Sequence, residues 1–404
     1  MTTLSVVIPA YNEENGIEEI VRRVLAIKPA LQEVGVDDLE LIVVDDGSSD
    51  RTAEIAGAIE GVNLIRQENK GYGGALKTGF SHAKGELIGF LDADGTYPPE
   101  YFPKLCIPAL EQADLVIGSR RAGEESHMPL TRRLGNFFFA TLLSILSRQK
   151  VSDSASGQRV FKRKIYEQML PLPDGLNLTP VQSARALHEN MKVVEVPISY
   201  SERLGRSKLS VVHDGRIFLQ SMLWTVMMYN PVRIFGLIGL GGIAIAALAF
   251  FALLIARLSG STTLGPWGIS GIFISAISGV AGVSLYSLGV TFNRLVMLFN
   301  RKSIPRQGMF GGLIFKESPD RYFGLAGLGS FFFGVLLGLV ALGLGFSGWD
   351  ITRQWLYLLG SSMLILIGVQ LMTSWALVQV LKEISQREEL SRQDMDAPIT
   401  PQKG

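Results

Sequence analysis

The sequence predicts a doubly wound, mostly parallel α/β domain followed by an all-α transmembrane region of four helices. In roughly the first half of the chain, short apolar runs rich in β-branched residues alternate with helical patterns. This alternation is typical of a parallel sheet covered by helices on both faces. The second half holds four long stretches without a charged residue. Each exceeds the roughly 20 residues that a helix needs to cross the hydrocarbon core of a bilayer.

The elements of the first half follow from the positions of the apolar runs. Strands are predicted at residues 4–8, 39–44, 62–65 and 86–91, with helices near 14–27 and from about 50 and 73, and a further strand-like segment at 193–199. In such sheets, ligands bind beyond the carboxyl ends of the strands. Polar residues that directly follow a strand are therefore the first candidates for a site.

Three polar clusters stand at predicted strand ends. They are Pro9 to Glu13, the acidic segment 45–52, and the pair Asp92 and Asp94. Residues i and i+2 of a strand point the same way, so Asp92 and Asp94 are able to converge on one hard cation. The alternative is a strand that ends in an Asp-rich turn, since Asp favours turns. The coincidence of three clusters at one edge favours a ligand site.

A glycine-rich segment, Asn69-Lys-Gly-Tyr-Gly-Gly74, is similar to a phosphate-binding loop. The dinucleotide-binding spacing, however, requires glycine where Leu76 stands. We instead predict a flexible loop leading into a helix, with Lys77 close enough to meet an anion.

Composition excludes several classes of function. The formal net charge is +1, so nothing points to nucleic acid as a partner. The four histidines are scattered, and the sequence offers no His or Cys cluster for zinc. The single cysteine, Cys106, excludes an internal disulfide and fits a reducing compartment, and a buried structural thiol is expected.

The four uncharged stretches, at 234–256, 258–293, 322–349 and 354–381, predict transmembrane helices. Lys and Arg concentrate between the second and third stretches and in the C-terminal tail, whereas the other connections carry only Arg257 and Arg353. The positive-inside rule then places the N-terminal domain, the middle connection and the tail in the cytoplasm. The chain does not open with a cleavable signal pattern, so we do not expect the N-terminal half to be secreted.

The domain boundaries follow from this pattern. We predict a cytoplasmic catalytic domain at 1–213, a juxtamembrane amphipathic segment at 214–231, four membrane helices at 232–381 and a polar cytoplasmic tail at 382–404. Two mostly apolar segments, 130–145 and 217–229, either lie in the membrane surface or pack as core helices.

Taken in order, the polar motifs resemble those of family 2 glycosyltransferases of the GT-A fold. The motifs are Pro9-Ala-Tyr-Asn-Glu13, Asp45-Asp-Gly-Ser-Ser-Asp50, Gly73-Gly-Ala-Leu-Lys77, Asp92-Ala-Asp94, Gly118-Ser-Arg120, Ser156-Gly-Gln-Arg159 and the segment 196–208. The later motifs are similar to those of polyprenyl-phosphate glycosyltransferases, of which dolichyl-phosphate mannose synthase is one type. The resemblance covers about the first 230 residues.

The resemblance implies a role for each matching residue. It assigns the nucleotide-sugar donor to Pro9, Tyr11, Glu13, Asp46, Asp92, Ala93 and Asp94, the metal (Mg²⁺ or Mn²⁺) to Asp92 and Asp94, and the acceptor phosphate to Arg203, Ser207 and Lys208. Position in the sequence adds Lys77 to the donor set and Arg206, which lies shortly before the first membrane helix, to the acceptor set. Asp94, Arg120, Arg203 and Lys208 form the implied catalytic set. Thr96 departs from the mannose synthases, which carry Gln at this position, and this departure weakens the case for mannose.

The expected activity is metal-dependent, inverting transfer of a hexose from a nucleotide sugar of the GDP-mannose or UDP-glucose type to polyprenyl or dolichyl phosphate. A phosphate oxygen is already anionic near neutral pH, so this acceptor needs no general base. Processive polysaccharide synthases are the first alternative, but they carry a Gln-x-x-Arg-Trp motif that the sequence lacks. A transporter is the second, although the uncharged stretches hold none of the charges that mark a transport path. Membrane lipids are expected partners, and a homo-oligomer is possible.

Overall fold

The computed structural model describes residues 1–121, 130–147, 149–201, 211–260, 265–299, 320–349 and 351–396. The chain divides into two compact units, Met1–Val226 and Met227–Gly404. Each unit is described by itself.

The first unit is built on one sheet, for which the described residues supply seven strands in the order β3-β2-β1-β4-β6-β5-β7. The strands are β1 Thr3–Ala10, β2 Asp38–Asp45, β3 Val62–Arg66, β4 Leu87–Phe90, β5 Leu115–Ser119, β6 Arg159–Lys162 and β7 Val193–Pro197. Neighbouring strands are parallel, except that β6 runs antiparallel to β4 and β5. The predicted mostly parallel α/β sheet is confirmed.

Helices connect these strands. They are α1 Ile17–Ala26, α2 Lys28–Glu33, α3 Thr52–Gly57, α4 Tyr72–His82, α5 Phe102–Glu111, α6 Leu130–Ser147, α7 Tyr166–Met169, α8 Leu178–His188 and α9 Val211–Tyr229. Single 3₁₀ turns precede α5 and α7, at Pro99–Tyr101 and Arg163–Ile165.

The central strands of the sheet are buried on both faces, whereas the edge strands β3 and β7 are partly exposed. In β1, Val6 packs in a core with residues of α1 and α5, whereas Val7 packs on the opposite face with residues of α4 and α8. Alternate strand residues point to opposite faces, so a strand buried on both sides is a continuous apolar run. Cys106 of α5 is buried in the first core, and burial raises the pKa of its thiol to about 12.

The second unit contains α10 Pro231–Leu258, α11 Pro266–Phe299, α12 Asp320–Phe346 and α13 Ile351–Asp396. Each of these four described helices contains a stretch long and apolar enough to cross a membrane. Small residues bring the backbones of α10 and α11 together, since a Cβ at Gly239 would lie 2.6 Å from the Gly282 carbonyl oxygen. Such close backbone packing is a common way for membrane helices to associate.

The structure corrects the start of the second membrane helix. The sequence placed it at 258, but Leu258 is the last residue of α10 and α11 begins at Pro266. Gly260 has a φ of 94°, a left-handed conformation that ends α10. Hydropathy averages over many residues and does not detect such a local break. At the other end of the region, α13 continues past 381 to Asp396.

Candidate active site

The carboxyl ends of β1, β2 and β4 meet at one edge of the sheet and line a cleft of about 510 Å³. The structure brings together here most of the residues singled out from the sequence: Pro9, Tyr11, Glu13, Asp46, Asp92, Ala93, Asp94 and Arg120. This is the position where open α/β sheets bind their ligands.

Asp92 follows β4 and is half-buried beside Tyr72, the first residue of α4. The Tyr72 hydroxyl donates a hydrogen bond to Oδ1 of Asp92 at 2.7 Å. Burial, together with the charge of Asp92, raises the pKa of Tyr72 well above its ordinary value. Tyr72 therefore keeps its proton and remains a donor, so that one oxygen of Asp92 is fixed.

Asp94 is buried and turned back onto its own loop. Its Oδ1 accepts hydrogen bonds from the Thr96 backbone N–H at 3.1 Å and from the Thr96 hydroxyl at 2.6 Å. Gly95, with a φ of 74°, allows this turn. Thr96, the residue that departs from the mannose synthases, thus orients Asp94.

Asp46 directly follows β2, and its buried carboxylate shapes the loop after β3. It accepts hydrogen bonds from the Gln67 side chain at 2.6 Å and from the backbone N–H groups of Lys70 and Gly71, each at 2.8 Å. Gly71 also lines the cleft. Asp46 therefore holds one wall of the site in place.

The loops after β1 and β2 are tied to each other. The Asn12 N–H donates to the Ser48 hydroxyl at 2.9 Å, and the Asn12 side-chain oxygen accepts from the Ser49 N–H at 2.8 Å. The Glu13 N–H donates to the Thr52 hydroxyl at 2.8 Å. Tyr11 and Glu13 are thereby presented to the cleft from a loop fixed on both sides.

The structure does not bring Lys77 to the cleft. Its ammonium group pairs with the Asp174 carboxylate at 2.7 Å and donates to the Leu172 carbonyl at 2.9 Å. The preceding residues do form a loop that leads into a helix, as predicted, with α4 beginning at Tyr72 rather than near residue 73. A Cβ at Gly73 would collide with the carbonyl oxygen of Pro173, so this glycine serves close backbone packing.

Arg120 enters the cleft from a buried ion pair. Its Nε and Nη2 donate to Asp153 at 2.8 and 2.7 Å, and its backbone N–H donates to the same carboxylate at 3.0 Å. A fourth hydrogen bond comes from Nδ2 of Asn136, at 2.9 Å. The guanidinium also lies over the rings of Tyr97 and Tyr200, 5.9 and 5.5 Å from their centroids.

The ion pair keeps Asp153 charged. Burial opposes ionisation of the carboxyl group, but the Arg120 charge and the hydrogen bonds outweigh it and lower the pKa of Asp153. The four hydrogen bonds match the roughly four lone-pair positions of a carboxylate. Asp153 is therefore suited to holding Arg120 rather than to accepting a proton.

Asp153, Asn136 and Tyr97 were not among the residues predicted from the sequence to belong to the site. Asp153 and Arg120 are separated by 33 residues, and neither lies in a pattern that pairs it with the other. The one available signal was the position of Asp153 just before the Ser156-Gly-Gln-Arg159 motif.

Arg159 lies fully buried in β6 and fixes the segment before it. Its guanidinium donates to the carbonyl oxygens of Ser154 at 2.8 Å and Ser156 at 2.9 Å, and to the Gln182 side chain at 3.1 Å. Burial lowers the pKa of Arg159 to about 10, so the group remains cationic at neutral pH.

The predicted acceptor residues Arg203, Arg206, Ser207 and Lys208 lie outside the described residues. Their role stays a prediction.

The donor set at Asp92 and Asp94 fits a hard divalent cation. Mg²⁺ typically takes one or two protein carboxylates and completes its shell with water and substrate phosphates. Within the described ranges, no group of three or more His, Cys, Asp or Glu side chains forms a denser metal site. Zinc, which prefers His and Cys ligands, is the poorer fit.

Comparison with known proteins agrees with this geometry. Residues 5–170 match the model of glycosyl transferase family 2. They form a family 2 glycosyl transferase domain. The transferase domain has the mostly parallel α/β sheet expected of the GT-A fold. Residues 231–392, which contain the apolar helices, match a domain of unknown function, DUF8752.

One curated relative is the low-salt glycan biosynthesis hexosyltransferase Agl6 of Haloferax volcanii, 36% identical over 251 residues. The match covers 61% of this chain and 58% of Agl6, less than two thirds of the relative's length. Among solved structures, glucosyl-3-phosphoglycerate synthase from Mycobacterium tuberculosis is 23% identical, with a TM-score of 0.46, over 56% of this chain and 78% of that chain. A structure described as a mycobacterial protein is 22% identical, with a TM-score of 0.47, over 56% of this chain and 75% of that one.

Proposed function

We propose that the protein is a membrane-anchored hexosyltransferase that moves a hexose from a nucleotide sugar, of the UDP-glucose or GDP-mannose type, to polyprenyl or dolichyl phosphate. The main support is Asp92 and Asp94 in the cleft of a family 2 transferase domain that is followed by four apolar helices. The similarity to Agl6, a hexosyltransferase of glycan biosynthesis, supports the choice of sugar class.

The donor half of the site uses the strand ends. Pro9, Tyr11 and Glu13 line the side assigned to the nucleoside, and Asp46 holds the loop beside it. Asp92 and Asp94 are the residues that would hold Mg²⁺ or Mn²⁺. Such an ion, when bound, supplies charge stabilisation for the leaving diphosphate.

Arg120 supplies a second, permanent positive charge at the cleft. Its position is fixed by Asp153 and by two tyrosine rings, so it needs no reorganisation when negative charge develops. In an inverting transfer, an acceptor phosphate oxygen forms the new bond to the anomeric carbon as the bond to the diphosphate breaks. No proton has to be removed from the acceptor. This agrees with the state of Asp153, whose carboxylate already accepts four hydrogen bonds and is not available as a base.

The acceptor half is assigned to Arg203, Arg206, Lys208 and the neighbouring hydroxyl residue Ser207, which precede the membrane helices in the chain. Helix α6 exposes Leu134, Phe137 and Phe138, and α9 exposes Trp224. Exposed apolar side chains on helices support contact with a membrane surface. The positive-inside bias of the sequence supports a cytoplasmic position for the catalytic domain.

Membranes that contain the protein, incubated with radiolabelled UDP-glucose or GDP-mannose, test the proposal. We expect one donor to label the lipid extract, and only when polyprenyl phosphate is added. Asp94→Asn should remove most transfer, whereas Asp37→Asn, which changes an exposed carboxylate outside the cleft, should not. Arg203→Ala should lower the rate of transfer by roughly one to two orders of magnitude, because a hydrogen bond to a charged group contributes about 1.5 to 3 kcal/mol. Donor binding should not change.

Two results would contradict the proposal. Label that accumulates in a growing polysaccharide rather than in the lipid extract would favour the processive synthase. Transfer that persists in the Asp94→Asn variant with excess chelator would remove the metal from the mechanism.

A further inference from the structure

The Ser156-Gly-Gln-Arg159 motif lies against Asp92. A Cβ built on Gly157 would be 2.7 Å from Oδ2 of Asp92 and 3.0 Å from both its Cγ and its Oδ1. The whole carboxylate therefore faces the α-carbon of Gly157, at a separation that leaves no room for a methyl group.

Space, rather than backbone conformation, requires this glycine. Gly95 in the neighbouring loop has a positive φ of 74°, but Gly157 is not among the glycines with a left-handed backbone. The backbone at Gly157 can therefore accommodate an L-residue. What it cannot accommodate is the Cβ atom next to Asp92.

The segment that carries Gly157 is fixed and cannot retreat. The Gly157 N–H donates to the Tyr97 hydroxyl at 2.7 Å, and the Ser156 hydroxyl donates to the Gly118 carbonyl at 2.5 Å. The Gln158 side chain donates to the Pro98 carbonyl at 2.9 Å. An added methyl group would therefore move the carboxylate of Asp92, the end of a flexible side chain, rather than the wall behind it.

We propose that Gly157 is a positioning residue for Asp92. Its α-carbon closes one side of the carboxylate while the Tyr72 hydroxyl holds Oδ1, so that the group is directed toward the donor diphosphate and its metal. The inference rests on the proposed function, because it takes Asp92 as a ligand of a divalent cation. It accounts for the glycine of a motif to which the transfer chemistry itself assigns no role.

Binding of Mn²⁺ to the full-length protein in detergent tests this, with free Mn²⁺ followed by electron paramagnetic resonance, with and without UDP or GDP. Gly157→Ala is expected to weaken Mn²⁺ binding at least tenfold while thermal unfolding changes little, since only a side chain has to move. Tyr72→Phe removes the hydrogen bond on the other side of Asp92 without adding volume. The Tyr72→Phe variant should also bind Mn²⁺ more weakly than the wild type.

Gly135→Ala is the matched control. Gly135 also lines the cleft, but among the described residues nothing lies within 4 Å of a Cβ placed there. This variant should bind Mn²⁺ as the wild type does. Equal losses in both alanine variants would overturn the positioning role.

The remaining outcomes separate the inference from the proposed function. Wild-type affinity in a folded Gly157→Ala variant would overturn the inference alone. If the Gly157→Ala variant fails to fold, wild-type Mn²⁺ affinity in the Tyr72→Phe variant would also overturn the inference alone. A wild-type protein that binds no Mn²⁺ under any of these conditions would refute the metal in the proposed function, and the inference with it.

Discussion

Replacing Asp153 by asparagine tests whether the buried ion pair holds the active-site arginine. The substitution keeps the shape of the side chain but removes the countercharge of Arg120, and it places an amide N–H₂ where donors now point. The side chain of Asp153 is 0% exposed and that of Arg120 is 11% exposed. Water therefore cannot replace the lost carboxylate without opening the site.

The expected cost is large. Removing one partner of a buried ion pair typically costs about 3 to 5 kcal/mol, because the other charge is left uncompensated. The contacts of Arg120 with the rings of Tyr97 and Tyr200 remain and retain roughly 1 kcal/mol. We expect a loss of about 3 kcal/mol in the free energy of unfolding of the transferase domain, which corresponds to a shift of about 6 to 12 °C for a unit of this size.

An exposed ion pair of the same length provides the control. Lys28 and Asp38 also approach to 2.7 Å, but their side chains are 49% and 59% exposed. Asp38→Asn should therefore cost no more than about 1 kcal/mol. Thermal unfolding of both variants, as full-length protein in detergent, gives the comparison. Equal stability of the two variants at pH 7 would refute the reasoning.

The pH dependence has a definite sign. The pKa of Asp153 is lowered in the folded state, so its contribution is present above the unfolded pKa of about 3.9 and is lost as the pH falls through the folded pKa. The difference between wild type and Asp153→Asn should therefore persist at neutral pH and narrow only in acid. A difference that disappears between pH 8 and 6 would indicate a different titrating group.

Two further predictions concern the fold around the site. Lys77→Met breaks the ion pair with Asp174. Because Lys77 does not line the cleft, the affinity for UDP-glucose or GDP-mannose, measured by calorimetry, should not change. A tenfold loss of affinity would show that Lys77 contributes to donor binding. For topology, single cysteines at 262 and 303 in a Cys106→Ser background should differ, with an impermeant thiol reagent labelling 262 but not 303 in intact cells. The reverse pattern would invert the proposed orientation.

The sequence predicted the first four strands because each contains a short apolar run, which is buried in β1, β2 and β4 and partly exposed in β3. The strand predicted at 39–44 corresponds to β2, Asp38–Asp45, and the strand predicted at 62–65 corresponds to β3, Val62–Arg66. Strand β6, Arg159–Lys162, was missed because it begins with a buried arginine and ends with a lysine, so it has no apolar run. Local composition cannot show that a guanidinium will find carbonyl oxygens inside the fold.

The candidate site was predictable where it depended on strand ends and was not where it depended on long-range packing. Asp46, Asp92 and Asp94 follow their strands directly, so topology alone brings them to one edge. Lys77 shares α4 with residues near the cleft, yet its partner Leu172 is 95 residues away. That contact depends on how two loops pack, which no local pattern encodes.

Three carboxylates at or behind the cleft, those of Asp46, Asp94 and Asp153, accept hydrogen bonds that hold the local structure, and this bears on the chemistry. Asp46 accepts hydrogen bonds from one loop, Asp94 accepts from its own turn, and Asp153 is saturated by Arg120 and Asn136. An enzyme that had to deprotonate a hydroxyl acceptor would need a carboxylate or imidazole with a raised pKa at this edge. The lowered pKa of Asp153 is the opposite of that requirement. In the proposed transfer to a lipid phosphate, the acceptor oxygen is already ionised, so Asp153 would not be needed as a base.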